Sequence, residues 1–486
     1  MFGKFSRRHF AKLAGISALG MAARPFDAAA QAASGAAAAS FPKDFVWGTA
    51  TSSYQIEGAV NEDGRGRSIW DTFSHTPGKI EDGTTGDRAN EHYHRYKEDI
   101  GLIREIGAKA YRFSIAWPRV FPEGAGKPNP KGLDFYDRLI DELLKQGIEP
   151  YATLYHWDLP QALEDRVGGW RSAETSKAFG DYAAYVAARI TDRVKSIFTI
   201  NEAGRFVNFG YGWGIDAPGL KLPDGEVNQV RHHVALAHGL AVQAVRAQGR
   251  AGTKAGVAEN IAACVPAFDT PENVHAAEMA TRELNAGFLG VILEGKYTDG
   301  FLKFAGKDAP KFTDQELKII SEPTDFVGLN IYAPQFYIAA SDKAPGWSVL
   351  PFPTSFPHMN SEWLRVGPET IYWAPKLAAK VWNINAIYIS ENGTSSEDKL
   401  RADGKVYDLD RIMYLRNYLR QLQRATSEGV PVRGYFLWSL MDNFEGIFGY
   451  GKRFGLYHVD FETQRRTPKL SVDFYRDVVA RNAIGV

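Results

Sequence analysis

From Phe41 onward the chain alternates. Eight short apolar runs, at 45–50, 110–115, 150–155, 196–201, 255–260, 325–332, 386–391 and 432–440, are separated by longer amphipathic stretches. Each run is continuously apolar rather than apolar at every second residue, which is how a strand buried on both faces of a parallel sheet reads. Stretches such as 93–106, 133–146, 172–194 and 408–428 have helical periodicity, and Gly107, Gly147 and Gly429 stand where helices should stop before the next strand. Eight strand-then-helix units without a break in composition predict a single α/β domain, a closed (β/α)8 TIM barrel with long loops over its C-terminal face. A doubly wound open sheet is the rival architecture, but no Gly-x-Gly-x-x-Gly turn follows the first run. The long segments 203–250 and 334–370 are expected to form loops over the barrel mouth.

Residues 1–40 stand outside this alternation. Ser6-Arg7-Arg8-His9-Phe10-Ala11-Lys12 carries paired arginines followed by an aromatic and a lysine, then a mildly apolar stretch at 13–23 and an Ala-rich run at 28–39. That order of charged, apolar and small residues resembles a cleavable twin-arginine signal, so the expected division is a leader at 1–40 and a barrel domain at 41–486, exported and periplasmic. The apolar stretch is too short for a permanent span, and no later segment reaches about 18 consecutive apolar residues, so no membrane span is expected. The 57 basic and 57 acidic residues balance, which leaves no basic footprint for nucleic acid. The one cysteine, Cys264, cannot form an intramolecular disulfide and is read as a buried small hydrophobe. With no Cys/His cluster at metal-ligand spacing and no cofactor motif, neither a metal nor a cofactor is expected. Chemistry then falls to carboxylates, imidazoles and hydroxyls.

Barrels of this type place their chemistry at the C-terminal ends of the strands. The fourth run ends Thr199-Ile200-Asn201-Glu202 and the seventh ends Ile389-Ser390-Glu391-Asn392-Gly393. A carboxylate leaving an apolar strand loses hydration, and it persists there when it caps a loop, pairs with an arginine or serves a reaction. Two opposed carboxyl groups are what glycosidic cleavage requires: one protonates the departing oxygen, and the other attacks the anomeric carbon or activates water.

Further motifs surround these two. Phe45-Val-Trp-Gly-Thr-Ala50, Tyr54-Gln-Ile-Glu-Gly58, Tyr111-Arg-Phe-Ser-Ile-Ala-Trp-Pro-Arg119, His156-Trp-Asp-Leu-Pro160, Trp438-Ser-Leu-Met-Asp-Asn-Phe-Glu445 and Lys452-Arg-Phe-Gly455 follow one another along the chain. Together with Thr-Ile-Asn-Glu and Ile-Ser-Glu-Asn-Gly they resemble glycoside hydrolase family 1, in the family's order, from about Phe41 to Val486. The resemblance implies a (β/α)8 barrel and a retaining β-glycosidase, most simply a β-glucosidase, without metal or organic cofactor and with a small glycoside or oligosaccharide as substrate. It implies Glu391 as nucleophile and Glu202 as acid/base, with their carboxyls about 5–5.5 Å apart. Arg112, at the end of the second strand, resembles the cation that keeps Glu391 ionised. Tyr332 resembles the hydroxyl donor to the nucleophile, and Asn330 belongs with it in the nucleophile's support. Asn201 is implied to donate to the sugar 2-hydroxyl. Gln55, His156 and Glu445 match the polar ring around the nonreducing sugar, Trp438 matches its stacking platform, and Trp363 is placed on the aromatic wall of the leaving-group side.

Two positions depart from the family pattern. Ala203 stands where the family usually has Pro after Asn-Glu, and Gly446 stands where it usually has Trp after Glu445. The missing indole predicts a pocket that is wider near the sugar 4- and 6-positions or refilled by Phe448 or Tyr450. Glu445 argues against the family's phospho-sugar branch, since a carboxylate repels phosphate, whereas Lys452 could bind it. A transglycosylase using the same covalent intermediate, and a non-catalytic sugar-binding barrel, are the alternatives; added acceptor separates the first, and the presence of both glutamates counts against the second. The mouth loops set the aglycone, and neither it nor the oligomeric state is readable from the sequence.

Overall fold

The computed structural model describes residues 40–485, so the expected leader lies outside the described residues except for Ser40. Eight parallel strands close into a barrel in chain order: β1 (Val46–Ala50), β2 (Ala110–Ser114), β3 (Glu149–Tyr155), β4 (Ser196–Asn201), β5 (Lys254–Asn260), β6 (Phe326–Asn330), β7 (Ile387–Asn392) and β8 (Val432–Trp438). The last pairs with the first, Val46 opposite Gly434. All eight predicted runs are strands, with ends moved by a residue or two. Gly107, at φ +81°, ends the helix His92–Ile106 in the left-handed conformation that a residue without Cβ adopts freely.

The barrel interior is filled by aromatic side chains from successive strands. Tyr151, Phe198, Phe326, Tyr388 and Phe436 form one buried cluster with Ala50, Ala110 and Ala258. Glycines make the room: a Cβ on Gly48 would lie 2.6 Å from the Phe436 ring, and one on Gly328 would lie 2.7 Å from Phe198. Large and small residues thus alternate across the interior until it is closed, as a barrel core requires. The plug reaches up to the chemistry, because the Arg112 guanidinium lies 4.9 Å from the centre of the Phe198 ring.

The expected loop at 203–250 is corrected. Only its first part runs over the mouth, and Asp224–Gln248 is a 25-residue helix packed on the outside of the barrel. Its histidines are partnered in the core: His232 Nδ1 meets the Tyr297 hydroxyl at 2.9 Å, His233 Nδ1 the Trp170 carbonyl at 3.0 Å and His238 Nδ1 the Thr199 hydroxyl at 2.7 Å. Nor is 334–370 plain loop, for it contributes the hairpin Phe336–Ala340 and Trp347–Leu350 to a three-stranded sheet with Cys264–Pro266. Cys264 is buried in that sheet. No helix among the described residues is long and apolar enough to cross a membrane.

Candidate active site

Regular β-geometry breaks down next to both glutamates. The β4–β5 register shifts between Phe198 and Asn201, and β7 slips against β6 between Ile389 and Glu391. Such irregularities re-aim a side chain at the rim of a barrel. Glu202, the first residue past β4, has φ +51° and ψ +58°, a left-handed conformation that an L side chain adopts at a cost of order 1–3 kcal/mol. Tertiary contacts hold it there, beginning with its own N–H, which donates to the Ala258 carbonyl at 2.8 Å.

Glu391 is gripped by two donors. Arg112 Nη1 donates to Oε1 at 2.7 Å, and the Tyr332 hydroxyl donates to Oε2 at 2.7 Å. Arg112 sits in the middle of β2 rather than at its end, and Tyr332 lies two residues past β6 instead of inside it. The ion pair is buried on both sides. Burial of a charge is tolerated only with this density of hydrogen bonds.

Among the described residues no such cation touches Glu202. Its Oε1 accepts from Asn330 Nδ2 at 2.8 Å, and Asn330 Oδ1 accepts in turn from the Ser390 hydroxyl at 2.6 Å. Burial pushes its carboxyl up to about 7, and the neighbouring Glu391 charge pushes the same way, only partly offset by Arg205.

Asn201 ties the two halves together. Its Oδ1 receives Arg112 Nη2 at 2.6 Å and Asn330 Nδ2 at 3.1 Å, which fixes the orientation of the amide because arginine can only donate. Asn201 Nδ2 therefore faces His156 Nε2, 3.3 Å away, as donor to acceptor. Burial, with the Arg112 charge adding to it, holds His156 well below the ordinary imidazole range. The ring is neutral with its proton on Nδ1, and Nδ1 is buried without a partner among the described residues. His156 also stacks on Trp438, ring centres 5.6 Å apart and planes 15° from parallel.

Across the floor, Gln55 accepts from the Ser52 hydroxyl at 2.6 Å and donates to Asn443 Oδ1 at 2.9 Å and Glu445 Oε2 at 3.3 Å. Glu445 Oε1 is likewise buried without a partner among the described residues. Burial pushes the Glu445 carboxyl up to about 8; the Trp438 side chain pulls it down and the Glu391 charge pushes it up. A carboxyl raised in this way repels phosphate more weakly than a fully ionised one would. Lys452, the one cation considered for phosphate, is turned away to the Asn360 carbonyl at 2.8 Å.

Gln55, His156, Glu202, Asn330, Tyr332, Trp363, Glu391, Trp438 and Glu445 line one cavity of about 1620 Å³, while Arg112 and Asn201 stand behind its wall. A volume above the usual 300–1,000 Å³ of a small-molecule site leaves room for more than one sugar ring. Trp363, 40% exposed, stands at the rim with its ring centre 5.8 Å from Tyr332 and 6.4 Å from Phe454.

Of the two residues expected to refill the space of the missing indole, Phe448 reaches the cavity, beside Gly446 and Ile447, and Tyr450 does not. The Tyr450 ring packs on Phe461, centres 4.0 Å apart, and its hydroxyl donates to the Thr85 carbonyl at 2.9 Å. Gly446 has φ +57°, and a Cβ there would lie 3.4 Å from Trp70. An indole at this position has to be carried on that left-handed backbone, which an L side chain adopts only under strain.

Several partners are not evident from the sequence. Glu259, at the end of β5, accepts the backbone N–H of Ala203 at 2.8 Å and of Gly204 at 2.9 Å. The signal is present, since Glu259 is a carboxylate leaving an apolar strand, the same criterion that picks out the other two. Arg205 lies over the Trp157 and Phe209 rings, 5.4 and 4.7 Å from their centres. Behind the β7 and β8 ends, Lys469 Nζ bonds Asp398 at 2.7 Å and Asp442 at 2.5 Å, Arg411 pairs with Asp398 and Asp408, and Arg453 with Asp442. Three cations and three carboxylates from distant segments meet there, and no local spacing announces it.

A closed parallel barrel with two buried carboxyl groups at its C-terminal mouth, one bound by arginine and the other kept protonatable, defines a glycoside hydrolase. The model of the glycosyl hydrolase family 1 matches residues 37–484, and the chain belongs to that family. It is 45% identical over 448 residues to β-glucosidase A of Acetivibrio thermocellus, covering 91% of this chain and 98% of the relative. The family 1 β-glucosidase from Thermotoga maritima superposes with a TM-score of 0.84 at 40% identity, covering 93% of this chain and all of the other. The same enzyme solved with deoxynojirimycin gives 0.83 at 40% identity, over 92% of this chain and all of that one.

Proposed function

We propose that the protein is a retaining exo-β-glucosidase that hydrolyses β-glucosides or short β-linked oligosaccharides. Glu391 is the nucleophile and Glu202 the acid/base. The observation that carries this assignment is the unequal environment of the two carboxyls: Glu391 meets an arginine and a tyrosine, while Glu202 meets neither and is pushed up to about 7.

The mechanism follows from that inequality. Glu391 attacks the anomeric carbon as the bond to the leaving oxygen breaks, and Glu202 gives its proton to that oxygen. The product is a glycosyl ester on Glu391 and a negative charge on Glu202. Esterification removes the charge that had helped raise Glu202, so Glu202 becomes a better-stabilised carboxylate. It then takes a proton from water, the water oxygen attacks the anomeric carbon, and Glu391 departs as carboxylate. Tyr332 and Arg112 receive it. The Nδ1–H of His156 offers a donor and the Glu445 carboxyl offers a hydrogen-bonding oxygen to sugar hydroxyls, and Trp438 offers a face. Glu391→Ala is expected to lose turnover, and azide to restore it with an inverted glycosyl azide as product; full activity in that variant contradicts the assignment.

The glycine at 446, where the family resemblance expects an indole, and the Bifidobacterium breve relative named a bifunctional β-D-glucosidase/β-D-fucosidase, 43% identical over 460 residues, favour tolerance at the 4- and 6-positions. A panel of chromogenic β-glycosides tests this: β-fucoside and β-galactoside cleaved alongside β-glucoside is the expected result, and strict glucoside selectivity the contrary one. The names of the relatives favour hydrolysis over the transglycosylase and sugar-binding readings. Residues 1–40 serve as a twin-arginine export leader, a reading supported by the order of Arg7, Arg8, Phe10 and Lys12 ahead of the apolar and Ala-rich runs. Replacement of both arginines by lysine should keep the enzyme in the cytoplasmic fraction; unchanged periplasmic activity rejects it.

A further inference from the structure

Glu202 is held in a left-handed conformation, and the residues after it form a short helical turn with no proline to stiffen it. The two N–H groups of that turn have no helical partner, as at any helix start. Both are taken by one side chain from the neighbouring strand, Glu259, whose Oε2 accepts from Ala203 and Oε1 from Gly204. A proline at 203, the residue expected there from the family resemblance, has no N–H to give and leaves one of these oxygens unpartnered. Gly204 completes the fit, because a Cβ at that position would lie 2.8 Å from Glu259 Oε1.

We infer that Glu259 is a positioning residue, clamping the acid/base loop from below and doing through two hydrogen bonds what a fixed backbone does in a chain with proline at 203. It touches no reacting atom. Its effect reaches the reaction through Glu202, which is attached to the clamped turn and points into the cavity. The groups facing the Glu259 carboxyl are the two N–H donors, Glu202 and the more distant Arg231. Burial above all, with Glu202 beside it, pushes this carboxyl up, while the two N–H donors, each of which needs an acceptor oxygen, pull it down and favour the carboxylate.

The inference rests on Glu202 being the acid/base, and the leaving group separates the two claims. Proton donation matters for an alkyl β-glucoside and hardly at all for a dinitrophenyl β-glucoside, whose leaving group departs without a proton. In Glu259→Gln, one N–H loses its acceptor and meets an amide NH2 instead. In this variant kcat/KM is expected to fall roughly tenfold on the alkyl glucoside and less than about twofold on the dinitrophenyl glucoside. Gly204→Ala, which displaces the carboxylate by steric contact alone, should show the same split, and melting curves of both variants report that the barrel is intact. The double variant Ala203→Pro/Glu259→Leu should recover the alkyl glucoside rate relative to Glu259→Leu alone. Equal losses on both substrates, no loss on either, or a double variant no better than Glu259→Leu would overturn the inference. If Glu202→Ala itself lacked the leaving-group split, the acid/base assignment would fail instead.

Discussion

The two halves of the site are built from the same residue type to opposite ends. On the β7 side, Glu391 belongs to the strand itself, its carboxylate meets a buried guanidinium and a phenol, and the guanidinium rests on the aromatic plug of the barrel. On the β4 side, Glu202 sits on strained backbone and receives a single amide donor, and its loop is tied down by another carboxyl. The difference teaches that role follows from surroundings: a carboxyl held by a guanidinium and a phenol is aimed to attack, and one with burial and a negative neighbour keeps a proton to give.

Breaking the β7 side should have the largest effect. Glu391→Ala is expected to lower kcat by about 10⁴-fold or more, because a nucleophile and its support act as a unit; steady-state kinetics on a dinitrophenyl glucoside reads it. Breaking the β4 side should cost less and selectively. Glu202→Ala is expected to lose about 10²–10⁴-fold on alkyl glucosides, the range for general acid catalysis, and far less on activated ones. Loosening the nucleophile's grip comes next: Tyr332→Phe removes a hydrogen bond to a charged group, about 1.5–3 kcal/mol, or roughly ten- to a hundredfold in kcat.

The pH response sharpens the contrast. Glu202 must be protonated for the first step, and its carboxyl is raised to about 7 by burial and by Glu391. Activity should therefore fall as pH rises through about 7. Stability carries the same sign. A carboxyl raised in the folded protein stabilises fully below its unfolded value of about 4.3, and that contribution is lost as pH climbs through the folded value. Glu202→Gln is thus expected to melt higher than the parent at pH 8 and at the same temperature at pH 4, by calorimetry. The smallest effect belongs to Gly446→Trp. With φ +57° at that residue, the indole strains the backbone by about 1–2 kcal/mol, and the melting temperature should drop before any narrowing of specificity is seen.

The barrel is legible in the sequence because burial on both faces leaves a continuous apolar run, a signal that survives without knowing any partner. Glu202 and Glu391 are legible because a charge at the exit of such a run is costly. By that same criterion Glu259 is readable, yet it needs the three-dimensional neighbour, the bare N–H of Ala203, before it means anything. The 25-residue helix Asp224–Gln248 is hidden by its buried histidines, which break the apolar stripe while finding partners on Trp170, Thr199 and Tyr297. Positive φ at Gly446 and the ion cluster around Lys469 belong to tertiary structure, and no spacing in the chain encodes them.

The division of labour between the two glutamates is tested most directly by trapping the intermediate. Incubation with a fluorinated β-glucoside that forms a slowly hydrolysing ester, followed by peptide mass spectrometry, should find one glycosyl group per chain, on Glu391. An adduct on Glu202, or inactivation with no adduct on either glutamate, would contradict the account.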